Sequence, residues 1–280
     1  MKEITCEEII AAVKEICITA NYDLGEDVEQ AFQHFLQREA SPTGKKIFLQ
    51  LLENASIARE ESVPMCQDTG AAVTFIELGQ GVRITGGYLE DAINEGVKQG
   101  YTEGYLRKSM VKHPWNRENT GDNTPAIIHT RIVPGDTLKI TVAPKGGGSE
   151  NMSAVKMMVP ADGLEGIKKF VIDQIVEAGP NPCPPIIVGV GVGGNFEKCA
   201  LLAKETLLRP IGSSNPDPEL QALEEELLDS ANKLGIGPLG LGGTTTALAI
   251  HIKVHPCHIA SMPVAVNINC HASRHKSVIL

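Results

Sequence analysis

Between residues 162 and 269 the chain alternates stretches of helical and strand periodicity, and this alternation constrains the fold more than any other feature. The spacing predicts a helix over 162–178, a Pro-rich loop over 179–185 (GPNPCPP), and an apolar strand over 186–190 (IIVGV). A Gly turn and a helix over 196–208 follow. A further helix fits 217–234, where Leu220, Leu223, Leu227, Leu228, Ala231 and Leu234 share one face, and strands follow at 244–254 and 261–269. That order is typical of α/β architecture. In the strand at 244–254, Thr246, Leu248, Ile250, Ile252 and Val254 alternate with Ala247, Ala249, His251 and Lys253. The alternation predicts one buried face and places His251 on the polar one.

The first 60 residues read as helical. Ser41 caps a helix that has Pro42 at its first position, and Ile47, Phe48, Leu51, Leu52 and Ala55 recur at helical spacing. Pro64 and Gly70 bracket a polar turn before a strand at 71–78, so Cys66, Gln67 and Asp68 should lie on a loop. A helix is predicted from Leu89 to Tyr105 and a polar loop over 113–125. Strands at 126–133 and 137–143 then flank Pro134-Gly135-Asp136, which predicts a hairpin. The three glycines of KGGGS (145–149) either admit a ligand close to the backbone or form a mobile connector. No repeat, low-complexity tract or linker interrupts the 280 residues, of which 42% are hydrophobic and 21% charged. The expectation is one α/β domain spanning 1–280, with sheets flanked by helices and a helical N-terminal segment.

Charge and composition remove several functions. With 25 basic and 34 acidic residues the net charge is −9, the wrong sign for gripping a phosphate backbone. Aromatic content of 4% leaves little surface for stacking bases. No apolar run is long enough to span a bilayer, and the acidic start MKEITCEEIIAAVKE is unlike a signal peptide, so a cytoplasmic location is expected. The seven cysteines are odd in number, scattered and without C-x-x-C, which argues against a disulfide framework.

Three features remain that can carry chemistry. Gly189 to Gly194 satisfies G-x-G-x-x-G after an apolar run and before a helix, but the strand is short and Pro-flanked. Asp217 and Glu219, near the offset expected of a ribose-binding acid, open a helix instead. A tight strand-to-helix turn is the reading the context favours over a nucleotide-dependent oxidoreductase. His255-Pro256-Cys257-His258 places two histidines and a cysteine within four positions, which would suit zinc in a non-catalytic partner protein. Cys6, Cys17 and Cys199 fall among apolar neighbours in predicted helices, whereas Cys66, Cys183 and Cys270 fall in loops at sheet edges. Three thiolates on a four-iron cluster would leave one iron open as a Lewis acid for loss or addition of water. Asp68, two residues after Cys66, and His258, twelve residues before Cys270, are the ionisable candidates tethered to those ligand loops.

These motifs resemble the α subunit of two-subunit class I fumarases and L-tartrate dehydratases. The resemblance is carried by PMCQDTG (64–70), GYLRKSMV (104–111), NTGDNTPAIIH (119–129), KGGGSENMS (145–153), NPCPPIIVGVGVGGNFEKCALLAKETLLR (181–209) and HIASMPVAVNINC (258–270). It implies a hydro-lyase that reversibly hydrates fumarate to malate, or one that dehydrates L-tartrate. It further implies a [4Fe–4S] cluster on Cys66, Cys183 and Cys270, and substrate contacts from Gln67, Asp68, Arg107 and a backbone amide of the triple glycine, placed at Gly147. His258 would partner Asp68 in proton transfer. The chain ends at Leu280, soon after the third cysteine, so the family's remaining arginines, lysine and proton-abstracting threonine are expected on a separate β subunit of a hetero-oligomer. Around the third cysteine the family's SCSADRN reads NCHASRH here, which bears on the choice among small dicarboxylate substrates.

Overall fold

The computed structural model describes residues 2–280. In chain order the elements are β1 (Lys2–Thr5), α1 (Cys6–Tyr22), α2 (Glu26–Arg38), α3 (Pro42–Glu61), β2 (Ala71–Gly79), β3 (Val82–Thr85) and α4 (Leu89–Glu103). They continue with β4 (Ile127–Val133), β5 (Leu138–Lys145), the one-turn α5 (Gly147–Glu150), β6 (Ala154–Met158), α6 (Gly163–Ala178) and β7 (Ile186–Gly193). The series closes with α7 (Phe196–Thr206), α8 (Pro218–Asn232), β8 (Ala247–His255), β9 (Met262–Asn269) and β10 (Lys276–Ile279). Mixed helix and strand with helical N-terminal segments is the α/β class expected from the sequence. The chain packs as two compact units, each assembled from separated stretches: Met1–Leu24, Asn54–Gly147 and Arg274–Leu280 in the first, Gly25–Glu53 and Gly148–Ser273 in the second.

In the first unit a four-stranded sheet runs in the order β10-β5-β2-β4. Its buried face meets Ile9, Val13 and Ile16 of α1 and Ile93, Val97 and Tyr101 of α4, all packed on Ile76, Ile140 and Val142. Thr5 starts α1 with a reciprocal cap: its side chain accepts the Glu8 N–H and the Glu8 carboxylate accepts the Thr5 N–H. The expected hairpin of β4 and β5 does not form, because β2 lies between them, parallel to β4 and antiparallel to β5. The Pro134-Gly135-Asp136 turn instead straddles the end of β2. There the N–H groups of Gly79, Gln80 and Gly81 donate to Thr137, Val133 and Gly135 carbonyls. A Cβ at residue 79 would lie 2.7 Å from the Gly135 oxygen, so glycine is what allows the turn to close over the strand.

The second unit centres on a sheet of order β6-β9-β7-β8 with helices on both faces. Ile167, Val171 and Ile175 of α6 and Leu227 and Ala231 of α8 cover one face, against Val188, Val190, Ile250, Val264, Val266 and Ile268. Asp217 starts α8 by accepting the Glu219 and Leu220 N–H groups. On the opposite face Cys199 and Ala203 of α7 pack on Ala265. The glycine run at 189–194 is absorbed by this packing. Cβ atoms at Gly189 and Gly191 would stand 2.0 and 2.1 Å from the Ala203 and Cys199 carbonyl oxygens of α7, leaving no room there for a nucleotide.

His251 departs from its expected polar face. It is 2% exposed, and its Nδ1 pairs with the Thr206 carbonyl at 3.1 Å. Although β8 is an edge strand, its residues Ala247–Ile252 are buried, with α7 and α8 both packed against it, and alternation predicts a wet face only where one side is left open. Burial holds the His251 imidazole below its ordinary pKa, and the nearby Arg209 guanidinium adds to the effect.

Candidate functional site

Five expected site residues belong to the first unit: Cys66, Gln67, Asp68, Arg107 and Gly147. The 64–70 loop leaves α3 and enters β2, and its end is held by buried groups. The Tyr101 hydroxyl, from the fully buried face of α4, donates to the Thr69 carbonyl at 2.7 Å and the Gly70 carbonyl at 3.2 Å. Arg274, 4% exposed, donates from Nη2 to the Asp68 carbonyl at 2.6 Å and from Nε to Asn21 Oδ1 at 3.1 Å. Asn21 in turn accepts the Met65 N–H through its own carbonyl.

Within this loop the Asp68 N–H points at Cys66 Sγ, 3.4 Å away, and the Cys66 thiol reaches Gln67 Oε1 at 3.6 Å. The Asp68 carboxylate accepts two backbone N–H groups, Gly70 on Oδ1 at 3.0 Å and Gly147 on Oδ2 at 2.8 Å. Within the triple glycine, Gly147 is thus an ordered N–H donor to a carboxylate. Thr69 Oγ1 donates to the Arg107 carbonyl at 3.0 Å, fixing the backbone from which the exposed Arg107 side chain projects.

The second unit holds Cys183, Cys270 and His258. Cys183 sits in the loop between α6 and β7 with φ of 56°, a left-handed conformation uncommon for a side chain other than Asn or Gly. The His271 N–H and Nδ1 meet the Cys183 carbonyl at 3.3 and 2.9 Å, so the loops of Cys183 and Cys270 are pinned together. His258 is exposed on the turn between β8 and β9, its Nδ1 accepting the Ala260 N–H at 3.1 Å.

Cys66 and Cys270 are half-buried and Cys183 is exposed, whereas Cys6, Cys17 and Cys199 are buried. All seven are free thiols; Cys66, Cys183 and Cys270 have the accessibility that suits a thiolate ligand, and Cys66 Sγ also faces the Asp68 N–H. Among the described residues no group of three or more His, Cys, Asp or Glu side chains is set to clamp a single metal ion, the 255–258 segment included. In that segment His255 Nδ1 meets the Pro256 carbonyl, and the Cys257 thiol donates to the Ser261 carbonyl. A cubane cluster makes a different demand from a single ion, since each cysteine binds its own iron and the body of the cluster keeps the sulfurs apart.

Sequence reasoning left Tyr101 and Arg274 without a role. Tyr101 looks like one more apolar position of an amphipathic helix. Arg274 looks like one more surface cation, and only its burial reveals that its donors reach the Asp68 carbonyl and Asn21.

The chain matches the family described as fumarate hydratase (Fumerase) over residues 10–279. A Methanocaldococcus jannaschii protein provisionally named L(+)-tartrate dehydratase subunit alpha is 43% identical over 273 residues, covering 95% of each chain. The L(+)-tartrate dehydratase subunit alpha of Escherichia coli O157:H7 is 33% identical over 259 residues, 91% of this chain and 85% of its own.

Proposed function

The chain belongs to the fumarate hydratase (Fumerase) family, and from that premise we propose that it is the α subunit of a hydro-lyase converting fumarate and water reversibly to malate. The single observation that most supports the reading is that the Cys66–Gly70 loop is joined to the Arg107 backbone through Thr69 Oγ1 and to the Gly147 N–H through the Asp68 carboxylate. This side of the site is suited to a small dicarboxylate. The Gly147 N–H is held by Asp68 Oδ2 and would have to exchange that bond for one to substrate, whereas the exposed Arg107 guanidinium offers the paired donors a substrate carboxylate needs.

Cys66, Cys183 and Cys270 would hold a [4Fe–4S] cluster, which when bound supplies a Lewis-acidic iron to polarise the C–O bond. Gln67 would orient the substrate beside Cys66. Asp68 and His258 would manage the proton of the departing or entering water: in dehydration the acid delivers H⁺ to hydroxide, and in hydration it takes that proton back. The C–H proton is assigned to a base on a β subunit, which would also hold the far carboxylate. The names of the relatives, subunit alpha, support such a partner. Those same names favour dehydration of L-tartrate as a second reading, which uses the same groups on a substrate with one more hydroxyl.

The test is anaerobic co-expression with a β subunit, followed by iron and sulfide analysis, a visible spectrum, and parallel assays on fumarate, malate and L-tartrate. The expected result is a brown complex with about four irons and four sulfides per site and turnover that neither chain shows alone. Cys66→Ser, Cys183→Ser and Cys270→Ser should each bleach it, while Cys199→Ser should not. Substantial hydratase activity of the single chain, or equal bleaching by Cys199→Ser, overturns the proposal.

A further inference from the structure

Asn123 lies in the loop between α4 and β4, within a stretch otherwise rich in exposed polar residues, yet it is 0% exposed. Its backbone is left-handed, with φ of 65°, a conformation asparagine tolerates better than other residues with a side chain. Its amide is spent on two segments far from it in sequence. Oδ1 accepts the Ser109 N–H at 2.6 Å, and Nδ2 donates to the Gly70 carbonyl at 3.1 Å. Ser109 is the second residue after Arg107, and Gly70 is the second after Asp68. One planar group therefore ties together the two loops that carry the proposed carboxylate grip and the proposed proton donor. Because its donor and acceptor hang from a single carbon, the tie has little slack.

The remaining links between these loops are few. Thr69 Oγ1 bonds the Arg107 carbonyl. Leu106 is buried at 1% exposure, but Arg107 and Ser109 are exposed, so the segment carrying the guanidinium runs over the surface with Asn123 as its buried polar anchor.

Resting on the functional reading above, we propose that Asn123 is a positioning residue that sets the placement of the Arg107 guanidinium relative to Asp68. It never touches substrate. Its role is geometric: a dicarboxylate gripped at one end by Arg107 presents its departing hydroxyl to Asp68 only if the two loops hold a fixed separation, and small misplacements of a reacting group cost rate steeply.

The proposal is tested with Asn123→Gly, which keeps the left-handed backbone and deletes the amide, and with Asn123→Asp. The aspartate keeps size and the Oδ1 acceptor, but turns the donor facing the Gly70 carbonyl into a second acceptor. In the isolated chain, hydrogen exchange read by mass spectrometry should show the 106–112 segment exchanging at least about tenfold faster in both variants. Exchange in α1 and α6 should be unchanged. In the assembled enzyme, kcat/KM for the dicarboxylate should fall about 10²-fold, with KM raised as well as kcat lowered, at unaltered iron content and visible spectrum. A merely structural loss would reduce the amount of active enzyme and leave KM where it was. Unchanged exchange at 106–112, or faster exchange with wild-type KM and kcat, overturns the positioning role while leaving the functional reading standing. If Asn123→Gly does not fold, the same criteria apply to Asn123→Asp, and failure of both to fold assigns Asn123 to the fold alone and overturns the proposal. A wild-type complex inactive on every four-carbon dicarboxylate overturns the functional reading and this inference with it.

Discussion

Glu224→Ala is expected to loosen the strand that leads into the His258 turn, and the structure sets the size of the effect. Glu224 is 4% exposed on α8. Its Oε1 accepts Arg209 Nη1, Asn215 Nδ2 and the Ile252 N–H, each at 2.7 Å, while Oε2 accepts Arg209 Nη2 at 2.6 Å. One carboxylate thus binds α8 to the edge strand β8 and neutralises a guanidinium whose side chain is only 21% exposed. Removing one partner of a buried pair costs about 3–5 kcal/mol. Arg209 retains some access to water, which favours the lower end, and the orphaned Ile252 N–H adds about 1 kcal/mol. The sum is about 4 kcal/mol, or roughly 8–16 °C in melting temperature for a unit of this size. Calorimetry on Glu224→Ala, Arg209→Leu and the double variant checks it. The double variant should cost less than the sum of the singles, because neither charge is then left stranded.

The pH dependence of that stability supplies an independent sign. Desolvation pushes the Glu224 carboxyl up. The hydrogen bonds from Arg209, the Ile252 amide and Asn215, with the Arg209 charge, outweigh it and hold the group below the usual carboxylate range. A depressed folded pKa contributes stability that is fully present above the unfolded value and lost as pH falls through the folded one. The gap between wild type and Glu224→Ala should therefore be flat from pH 6 to 8 and close in acid. A loss below about 1 kcal/mol, additive single variants, or a gap that widens in acid refutes the reasoning.

Two further outcomes are expected. His258→Asn keeps size and a hydrogen-bonding group but removes the titratable proton, so turnover of the assembled enzyme should fall by roughly 10²–10⁴ with the cluster spectrum intact; loss of the spectrum would make the residue structural. Iodoacetamide at pH 8 should modify Cys66, Cys183, Cys257 and Cys270 of the metal-free chain and spare Cys6, Cys17 and Cys199. Burial pushes the Cys17 thiol up to about 12 and the Cys199 thiol upward as well, and peptide mapping that found Cys17 alkylated in folded protein would contradict this.

What the sequence made legible was local. Periodicity located the run of elements from α6 to β9 because each pattern reports contacts within a few residues of itself, as with the leucines of α8 and the cap at Asp217, but it left the short edge strand β6 unread. Cysteine context separated the buried thiols of α1 and α7 from the loop thiols for the same reason. What stayed hidden was non-local. The strands β4 and β5 read as a hairpin, since nothing in their own residues reveals that β2, some fifty residues earlier, inserts between them. The two units are equally silent, because each is stitched from distant segments and no change of composition marks their boundaries.

The candidate site shows the same division. Cys66 and Asp68 are residue types whose chemistry can be recognised in their own loop, whereas Arg107 is nominated by the resemblance alone, through GYLRKSMV. The groups that hold them are ordinary polar residues turned inward: Tyr101 on the Thr69 and Gly70 carbonyls, Asn123 between Gly70 and Ser109, Arg274 on the Asp68 carbonyl. Each bonds to backbone, and a backbone carbonyl has no residue identity to leave in the sequence. A loop free to bend would spend binding energy on ordering itself each time substrate arrived. Here that ordering is done in advance by buried donors and acceptors, which would each cost about 1–3 kcal/mol if left unpaired. The rigidity of the Asp68 and Arg107 loops is therefore enforced by the cost of breaking them apart, and that makes Asn123, and not the exposed Arg107, the residue whose loss should be felt in the motion of the loop before it is felt in the chemistry.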